Sequence, residues 1–202
     1  MGTSSMRTLR KIGILGGTFD PPHVAHLIVG ESALDVAGLD AVFFVPAFQS
    51  PSKTGLPGAS ARQRVTMTRL AVKGNPGFKC LDIEAKRKGR SYTVETLEEL
   101  TAEAPGTEFV LILGADSFLD FSAWKSPERI VQLASLLVYP RNGFSLSPDL
   151  PFFRHARMME GPSVEVSSSM IRRRVAMGKS IRYLVPDAVD RYIRLHRLYR
   201  RD

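Results

Sequence analysis

The stretch Gly16-Gly17-Thr18-Phe19-Asp20-Pro21-Pro22-His23-Val24-Ala25-His26 decides the fold of this 202-residue chain. An apolar run at residues 12–15 precedes it and an amphipathic segment follows it, which predicts a strand, a glycine turn and the start of a helix. The two histidines, three residues apart, then share one helix face. Because a helix N-terminus favours anions through its free N–H groups and its dipole, the motif predicts a phosphate site with two imidazole donors.

Strand-like apolar runs alternate with helical patterns along the chain. The predicted strands cover residues 11–15, 41–46, 78–83, 109–114, 136–139 and 164–166. The predicted helices cover residues 25–37, 61–73, 93–103, 127–133, 168–177 and 186–195, with a short helix expected at 152–159. This alternation predicts an α/β fold: a Rossmann-like, doubly wound parallel sheet with helices on both faces. If the first and fourth strands are neighbours, the glycine turns that follow them face one crevice.

Domain organisation is expected to be simple. Residues 1–202 are predicted to form a single domain, with residues 1–9 as a tail that is either natural or a cloning remnant. The segment at 49–61 is rich in Pro, Gly and Ser, which is typical of a mobile loop.

Composition limits the partners. The chain has 28 Lys and Arg against 20 Asp and Glu, which gives a net charge of +8. This charge is compatible with a polyphosphate ligand and with nucleic acid. The arginines near the C-terminus are also typical of a solvent-exposed helix face. Cys80 is the single cysteine, which excludes an intramolecular disulfide and favours a reducing cytoplasm. No apolar run approaches the roughly 18 residues of a membrane helix, so no membrane partner is expected. The oligomeric state stays open, a homo-oligomer included.

Two other roles for the histidines stay open at this point. Metal ligation would need a third ligand, and no nearby Cys, His or Glu cluster in the sequence supplies one. A packed, hydrogen-bonded pair would need no ligand at all. The glycine turn directly before the pair favours the phosphate role, since glycine lets the backbone approach a ligand closely. We therefore expect no metal site.

The histidine motif resembles the signature of the nucleotidylyltransferases related to class I aminoacyl-tRNA synthetases. Within that superfamily the chain resembles the bacterial nicotinate-nucleotide adenylyltransferases. Further resemblance is carried by Ser91-Tyr92-Thr93-Val94-Glu95-Thr96-Leu97, by Gly114-Ala115-Asp116 through Trp124, by Val166-Ser167-Ser168-Ser169-Met170-Ile171-Arg172 and by Leu198-Tyr199-Arg200. Three positions depart from the pattern: Ala25 replaces a usual Gly, Ser169 a Thr, and Ser52 a His, whereas Lys53 is retained.

The resemblance implies transfer of the adenylyl group of ATP to nicotinate mononucleotide in NAD biosynthesis, with Mg²⁺ carried by the ATP phosphates. Nicotinamide mononucleotide and phosphopantetheine are alternative acceptors, and a basic RNA-binding module is a third hypothesis. No nucleic-acid partner is expected, because the chain lacks the stacking-aromatic pattern of RNA-recognition modules.

The resemblance also assigns site residues. His23 and His26 are implied to be catalytic. The residues implied to bind ATP are Gly16, Gly17, Thr18, Phe19, Gly114, Asp116, Arg141, Ser168, Ser169 and Arg172. Those implied to bind the mononucleotide are Lys53, Ser91, Tyr92, Thr93 and Trp124.

Simpler roles compete with some of these assignments. Asp116, Ser168 and Ser169 are also candidates for helix caps. Trp124 is equally a candidate for core packing. Lys53 and Arg141 are alternatively plain surface charge. Asp20 is expected to stabilise its own turn.

Overall fold

A single parallel sheet organises the part of the chain that the computed structural model describes, residues 11–51 and 58–200. Its six strands are β1 (Lys11–Gly17), β2 (Ala41–Pro46), β3 (Phe78–Cys80), β4 (Glu108–Gly114), β5 (Ala134–Tyr139) and β6 (Ala156–Met158). The strand order is β3-β2-β1-β4-β5-β6. The chain therefore winds outward in one direction from β1 and in the other from β4, which confirms the doubly wound prediction.

Helices fill the connections between the strands. They are α1 (Val24–Ala37), α2 (Ala61–Val72), α3 (Ile83–Arg87), α4 (Thr93–Glu103), α5 (Ala115–Leu119), α6 (Pro127–Leu133), α7 (Ser168–Ala176) and α8 (Asp187–Leu195). Their ends follow local chemistry. Gly38 ends α1 in the left-handed conformation, at φ 59°. Ser60 and Gln63 form a capping box at the start of α2.

The strand pairing at the centre of the sheet positions the site. β1 and β4 are neighbours, with Ile14 opposite Leu111, and they run in the same direction. Their carboxyl ends, at Gly17 and Gly114, therefore lie at one edge of the sheet. The two glycine turns meet where the strand order reverses, as the sequence predicted.

The two faces of the sheet each carry a core. Along β4, Phe109, Leu111 and Leu113 pack into one cluster, whereas Val110 and Ile112 pack into the other. This alternation follows from the two-residue period of a strand. Because both faces are buried, the central strands β2, β4 and β5 are largely apolar rather than alternating with polar residues, whereas the edge strands β3 and β6 carry the exposed Lys79 and Arg157.

A third cluster joins the last helices to the rest of the molecule. Met67 of α2, Ile171 of α7 and Val189 of α8 are buried together, with exposed fractions of 0% each. Burial of such side chains contributes about 1.5–3 kcal/mol each. α7 and α8 are thereby fixed beside α2, near the edge of the sheet where β1 ends.

Three sequence-based predictions of secondary structure were wrong. Residues 164–166 form a tight turn rather than a strand, in which the Val166 N–H donates to the Val164 carbonyl. The sixth strand is β6, in the second half of the segment predicted to be helical at 152–159; the helical part is only one 3-10 turn, Phe153–His155, with Phe152 (φ 64°) as its N-cap. β3 ends at Cys80, since α3 begins two residues after Leu81.

Among the residues described, no helix combines the length and apolar character that a membrane span requires. The tail at residues 1–9, together with Lys53 and Ser52 of the predicted loop, lies outside the described residues.

Candidate active site

Two stacked imidazoles stand at the start of α1. His23 is the N-cap residue, and its ring centroid lies 3.7 Å from that of His26, with 27° between the ring planes. The His23 backbone N–H donates to Nδ1 of His26 at 3.1 Å. Because that Nδ1 accepts a hydrogen bond, the proton of a neutral His26 lies on Nε2. The start of the helix therefore carries the ring N–H of His26, whereas the backbone N–H groups of Val24 and His26 donate to the carbonyls of Leu184 and His23.

The glycine turn borders these rings. A Cβ added at Gly16 would have no atom within 4 Å, so the turn has open space beside it. Gly17 lies against the ring of Phe19, which is buried and makes an edge contact with His26 at 4.9 Å between centroids. Within the described part of the chain, the buried Oγ1 of Thr18 has no hydrogen-bond partner. A buried hydroxyl in this state suits an anionic ligand at the turn.

Arg64 hydrogen-bonds to the backbone of the glycine turn, a role that the sequence did not predict. The side chain is 1% exposed. Nη1 donates to the carbonyl of Thr18 at 2.7 Å and to that of Ala47, Nη2 to that of Phe48 at 2.8 Å, and Nε to that of Ala59 at 3.2 Å. One guanidinium thus satisfies carbonyls from three separate segments. In the sequence Arg64 is only another basic residue of an amphipathic helix, so no local signal could have identified it.

Asp20 lies beside this arginine and holds distant segments together. Its carboxylate accepts from the backbone N–H groups of Gly58 at 2.8 Å and Ala59 at 3.0 Å, and from the hydroxyl of Tyr199 at 2.7 Å. The prediction that Asp20 stabilises its own turn was therefore wrong. Burial lowers the pKa of Arg64, while the charge of Asp20 opposes that shift.

The first turn of α7 is attached to the histidine motif. Ser167 is the N-cap, with its hydroxyl accepting from Met170 N–H, so neither Ser168 nor Ser169 is the cap. The Ser168 hydroxyl donates to the Pro21 carbonyl at 2.9 Å. Arg172 donates to the Asp20 carbonyl at 2.7 Å and to the Ser169 hydroxyl at 3.2 Å. The structure thus brings the α7 residues Ser168 and Arg172 into contact with the histidine motif at residues 16–26.

A third group lies at the ends of β4 and β5. Gly114 is the N-cap of α5, so Asp116 is not a cap residue. Arg141 Nη1 lies 2.6 Å from Oδ2 of Asp116, and the two form an ion pair. Among the described residues, Oδ1 of Asp116 is buried without a hydrogen-bond partner. An acceptor in this state suits a hydroxyl donor from a ligand.

The fourth group surrounds the start of α4. The Ser91 hydroxyl accepts from the Phe48 N–H at 2.9 Å, which ties this segment to the end of β2. Tyr92 is the N-cap, Thr93 the first helical residue, and Lys125 Nζ lies 4.6 Å from the Tyr92 ring centroid. Trp124 is half-buried and packs against Phe121, 5.5 Å away between ring centroids, so packing explains part of its position.

In residues 11–51 and 58–200, no group of three or more His, Cys, Asp or Glu side chains is arranged to hold a metal ion.

Known proteins share this arrangement of sequence and fold. The model of the cytidylyltransferase-like family matches residues 14–174. A Salinibacter ruber protein named "Probable nicotinate-nucleotide adenylyltransferase" is 44% identical over 190 residues, which cover 94% of this chain and 97% of that protein. The chain belongs to the nicotinate-nucleotide adenylyltransferase family. A Herpetosiphon aurantiacus relative with the same name is 41% identical over 199 residues, covering 95% of this chain and 99% of its own.

A solved structure shares the fold. The Plasmodium falciparum nicotinic acid mononucleotide adenylyltransferase complexed with NaAD superposes with a TM-score of 0.78 at 19% identity, covering 94% of this chain and 97% of that one. At this identity the match shows the fold alone. The curated relatives confirm the resemblance inferred from the motifs, and this chain is a nucleotidyltransferase.

Proposed function

We propose that this nicotinate-nucleotide adenylyltransferase transfers AMP from ATP to nicotinate mononucleotide, giving nicotinate adenine dinucleotide and pyrophosphate. The observation that carries the proposal is the stacked His23 and His26 pair at the start of α1, preceded by the buried Thr18 hydroxyl, which has no hydrogen-bond partner among the described residues. The proposal places the reaction in the cytoplasm, where a lone thiol such as Cys80 stays reduced.

The proposed reaction is an in-line displacement at phosphorus. A phosphate oxygen of the mononucleotide forms a bond to the α-phosphorus of ATP as the bond to the β-phosphate bridging oxygen breaks, and pyrophosphate leaves. No covalent intermediate with the protein is needed, so positioning and charge stabilisation supply the catalysis. Mg²⁺ enters with ATP, since phosphate oxygens and water are its usual ligands.

The histidines are proposed to stabilise the transferring phosphate. Nε2–H of His26 donates to a non-bridging oxygen, and the dipole of α1 adds positive potential at the same place. Negative charge develops on the leaving bridging oxygen as the displacement proceeds, so donors held in advance by the His23–His26 contact lower the barrier.

The remaining groups are proposed to hold the substrates. Arg172 and Ser169 lie beside the motif and would bind the leaving phosphates, and Lys53 would bind the mononucleotide. Asp116 would accept from a ribose hydroxyl, beside its partner Arg141. On the mononucleotide side, Trp124 would stack on the pyridine ring while backbone groups at Thr93 bind its carboxylate.

A coupled assay tests the reaction and its acceptor. ATP, Mg²⁺ and nicotinate mononucleotide are expected to give pyrophosphate and a dinucleotide of the expected mass, with turnover reduced about 10²–10³-fold by His23→Ala. Nicotinamide mononucleotide and phosphopantetheine, tested in parallel, are expected to give lower kcat/KM. A product yield no greater than that of the His23→Ala variant would disprove the proposal, and a preference for another acceptor would reassign the substrate.

A further inference from the structure

Tyr199 contacts the histidine motif from the far end of the chain. Its hydroxyl donates to Oδ1 of Asp20 at 2.7 Å, across 179 positions of sequence. Asp20 is itself 3% exposed and lies three residues before His23. Burial, with the charge of Asp20, raises the pKa of the Tyr199 phenol, so the hydroxyl stays protonated and remains a donor.

The ring of Tyr199 makes a second contact. A Cβ added at Gly58 would lie 3.0 Å from Cδ1 of Tyr199 and 3.3 Å from Cδ of Arg172. Gly58 therefore fits between these two side chains because it has none of its own. Its N–H donates to the other oxygen of the same Asp20 carboxylate, at 2.8 Å. Gly58, near the end of the segment predicted as a loop at 49–61, thus packs against Tyr199.

The backbone holds the tyrosine in place at some conformational cost. Tyr199 has φ 62° and Arg197 has φ 50°, both in the left-handed region that side chains disfavour. Leu198, between them, is buried in the third cluster, and its N–H donates to the Ile193 carbonyl at 3.0 Å. Strained residues persist where surrounding contacts fix them, and they concentrate at functional sites.

We infer that Tyr199 is a positioning residue for adenylyl transfer, which orients Asp20 and through it Gly58 and Arg172 relative to the two histidines. The inference rests on the proposed function for its kinetic consequence. It is carried by the shared carboxylate: Tyr199 and Gly58 bind the side chain of Asp20, while Arg172 binds its carbonyl at 2.7 Å. Removal of the Tyr199 hydroxyl breaks the hydrogen bond to Asp20 and leaves the aromatic ring in place.

The test compares Tyr199→Phe with Tyr192→Phe, which removes a hydroxyl from the same third cluster at a ring that contacts His196. Tyr199→Phe is expected to lower kcat/KM about 10- to 100-fold, the effect of one hydrogen bond to a charged group, mainly through kcat. Tyr192→Phe is expected to stay within about twofold. Thermal unfolding of both variants is measured alongside.

A double-mutant cycle separates positioning from a general structural effect. If Tyr199 acts through Asp20, adding Tyr199→Phe to Asp20→Ala, which removes the acceptor, lowers kcat/KM little further, whereas independent effects multiply. Hydrogen exchange supplies a readout independent of catalysis: the amides of Gly58 and Ala59 are expected to exchange faster in Tyr199→Phe. Should that variant fail to fold, Gly58→Ala displaces the ring from the other side and is expected to lower kcat in the same way.

Each outcome decides between the two proposals. Unchanged kcat/KM in a folded Tyr199→Phe variant, or multiplicative effects with Asp20→Ala, would overturn the positioning role. No dinucleotide from the unmodified protein would overturn the proposed function instead, and faster exchange at Gly58 in the variant would then still support the contact. Unchanged exchange at Gly58 would overturn the structural part of the inference.

Discussion

The backbone N–H of His23 donates to Nδ1 of His26, so one hydrogen bond both closes the first turn of α1 and assigns the proton of His26 to Nε2. The two nitrogens of His26 thus have separate tasks. Nδ1 is an acceptor for the helix, and Nε2 is the donor proposed to act on the phosphate. Substitutions can remove one task and keep the other.

His26→Asn is expected to lower kcat about 10²–10³-fold, because the donor is lost. Its amide oxygen can replace Nδ1 as acceptor, so the free energy of unfolding is expected to change by less than about 0.5 kcal/mol. His26→Ala loses both tasks and is expected to cost about 0.5–2 kcal/mol as well. Steady-state kinetics and urea unfolding measure the two effects. A His26→Asn variant with more than a tenth of normal kcat would contradict the assignment.

Arg64→Met is expected to destabilise the fold by about 3 kcal/mol, because buried carbonyls lose their donor and Asp20 loses a neighbouring cation. Urea unfolding gives this value. Arg69→Met is the matched control on the same helix: Arg69 pairs with Asp82, and its side chain is 56% exposed, so a change below about 1 kcal/mol is expected. Equal losses in the two variants would show that burial of the guanidinium is not the cause.

Gly30→Ala is expected to destabilise by about 1–3 kcal/mol, although alanine is the better helix former. A Cβ at Gly30 would lie 2.9 Å from the Phe44 ring and 3.0 Å from that of Phe78. Gly74→Ala is the control, since no atom lies within 4 Å of its Cβ position. That change is expected to be neutral or stabilising by about 0.4–1 kcal/mol. Thermal unfolding measures both effects, and a change of the melting temperature in the same direction in both variants would contradict the packing argument.

Cys80 makes stability depend on alkaline pH. Burial raises the pKa of its thiol from 9.0 to about 12. Between these values the unfolded chain loses the proton and the folded chain keeps it, so the free energy of unfolding falls as pH rises from about 9 towards 12. Cys80→Ala is expected to show a smaller decrease between pH 8 and pH 11. Urea unfolding at pH 8 and at pH 11 measures this decrease in the free energy of unfolding. An equal decrease in the unmodified protein and in Cys80→Ala would contradict the raised pKa of the thiol.

The same burial protects Cys80 from reagents. The thiolate is the reactive form, so the folded protein is expected to react with a disulfide reagent at pH 8 far more slowly than the protein in urea. A native rate close to the unfolded rate would show that the thiol is accessible.

The sequence predicted the features that depend on local pattern. The apolar runs of β1, β2, β4 and β5 and the helices α1, α2, α4 and α6 are visible as periodicity, whereas the short helix α5 was missed; the neighbouring positions of β1 and β4 confirm that both glycine turns lie at one edge of the sheet. β6 was missed because it has three residues and pairs only with β5, which leaves little pattern to read. The assignment of one domain to the whole chain stays a prediction.

Long-range polar contacts were the second kind of omission. The bond from Arg64 to the Thr18 carbonyl joins residues 46 positions apart, and that from Tyr199 to Asp20 joins residues 179 apart. Such contacts depend on how helices and turns meet in three dimensions, and no residue within a local window indicates them. The motifs therefore predict which residues bind a ligand, whereas the residues that hold the motifs in place could be identified only from the structure.

The distance in sequence between Asp20 and Tyr199 sets an order of events during synthesis. A ribosome adds about 5–20 residues per second, so the separation of 179 positions corresponds to roughly 10–35 s. Throughout that interval a growing chain already contains the histidine motif but has no Tyr199 to bind its carboxylate. Nascent chains are thus expected to complete their sheet while the substrate crevice is still unfinished.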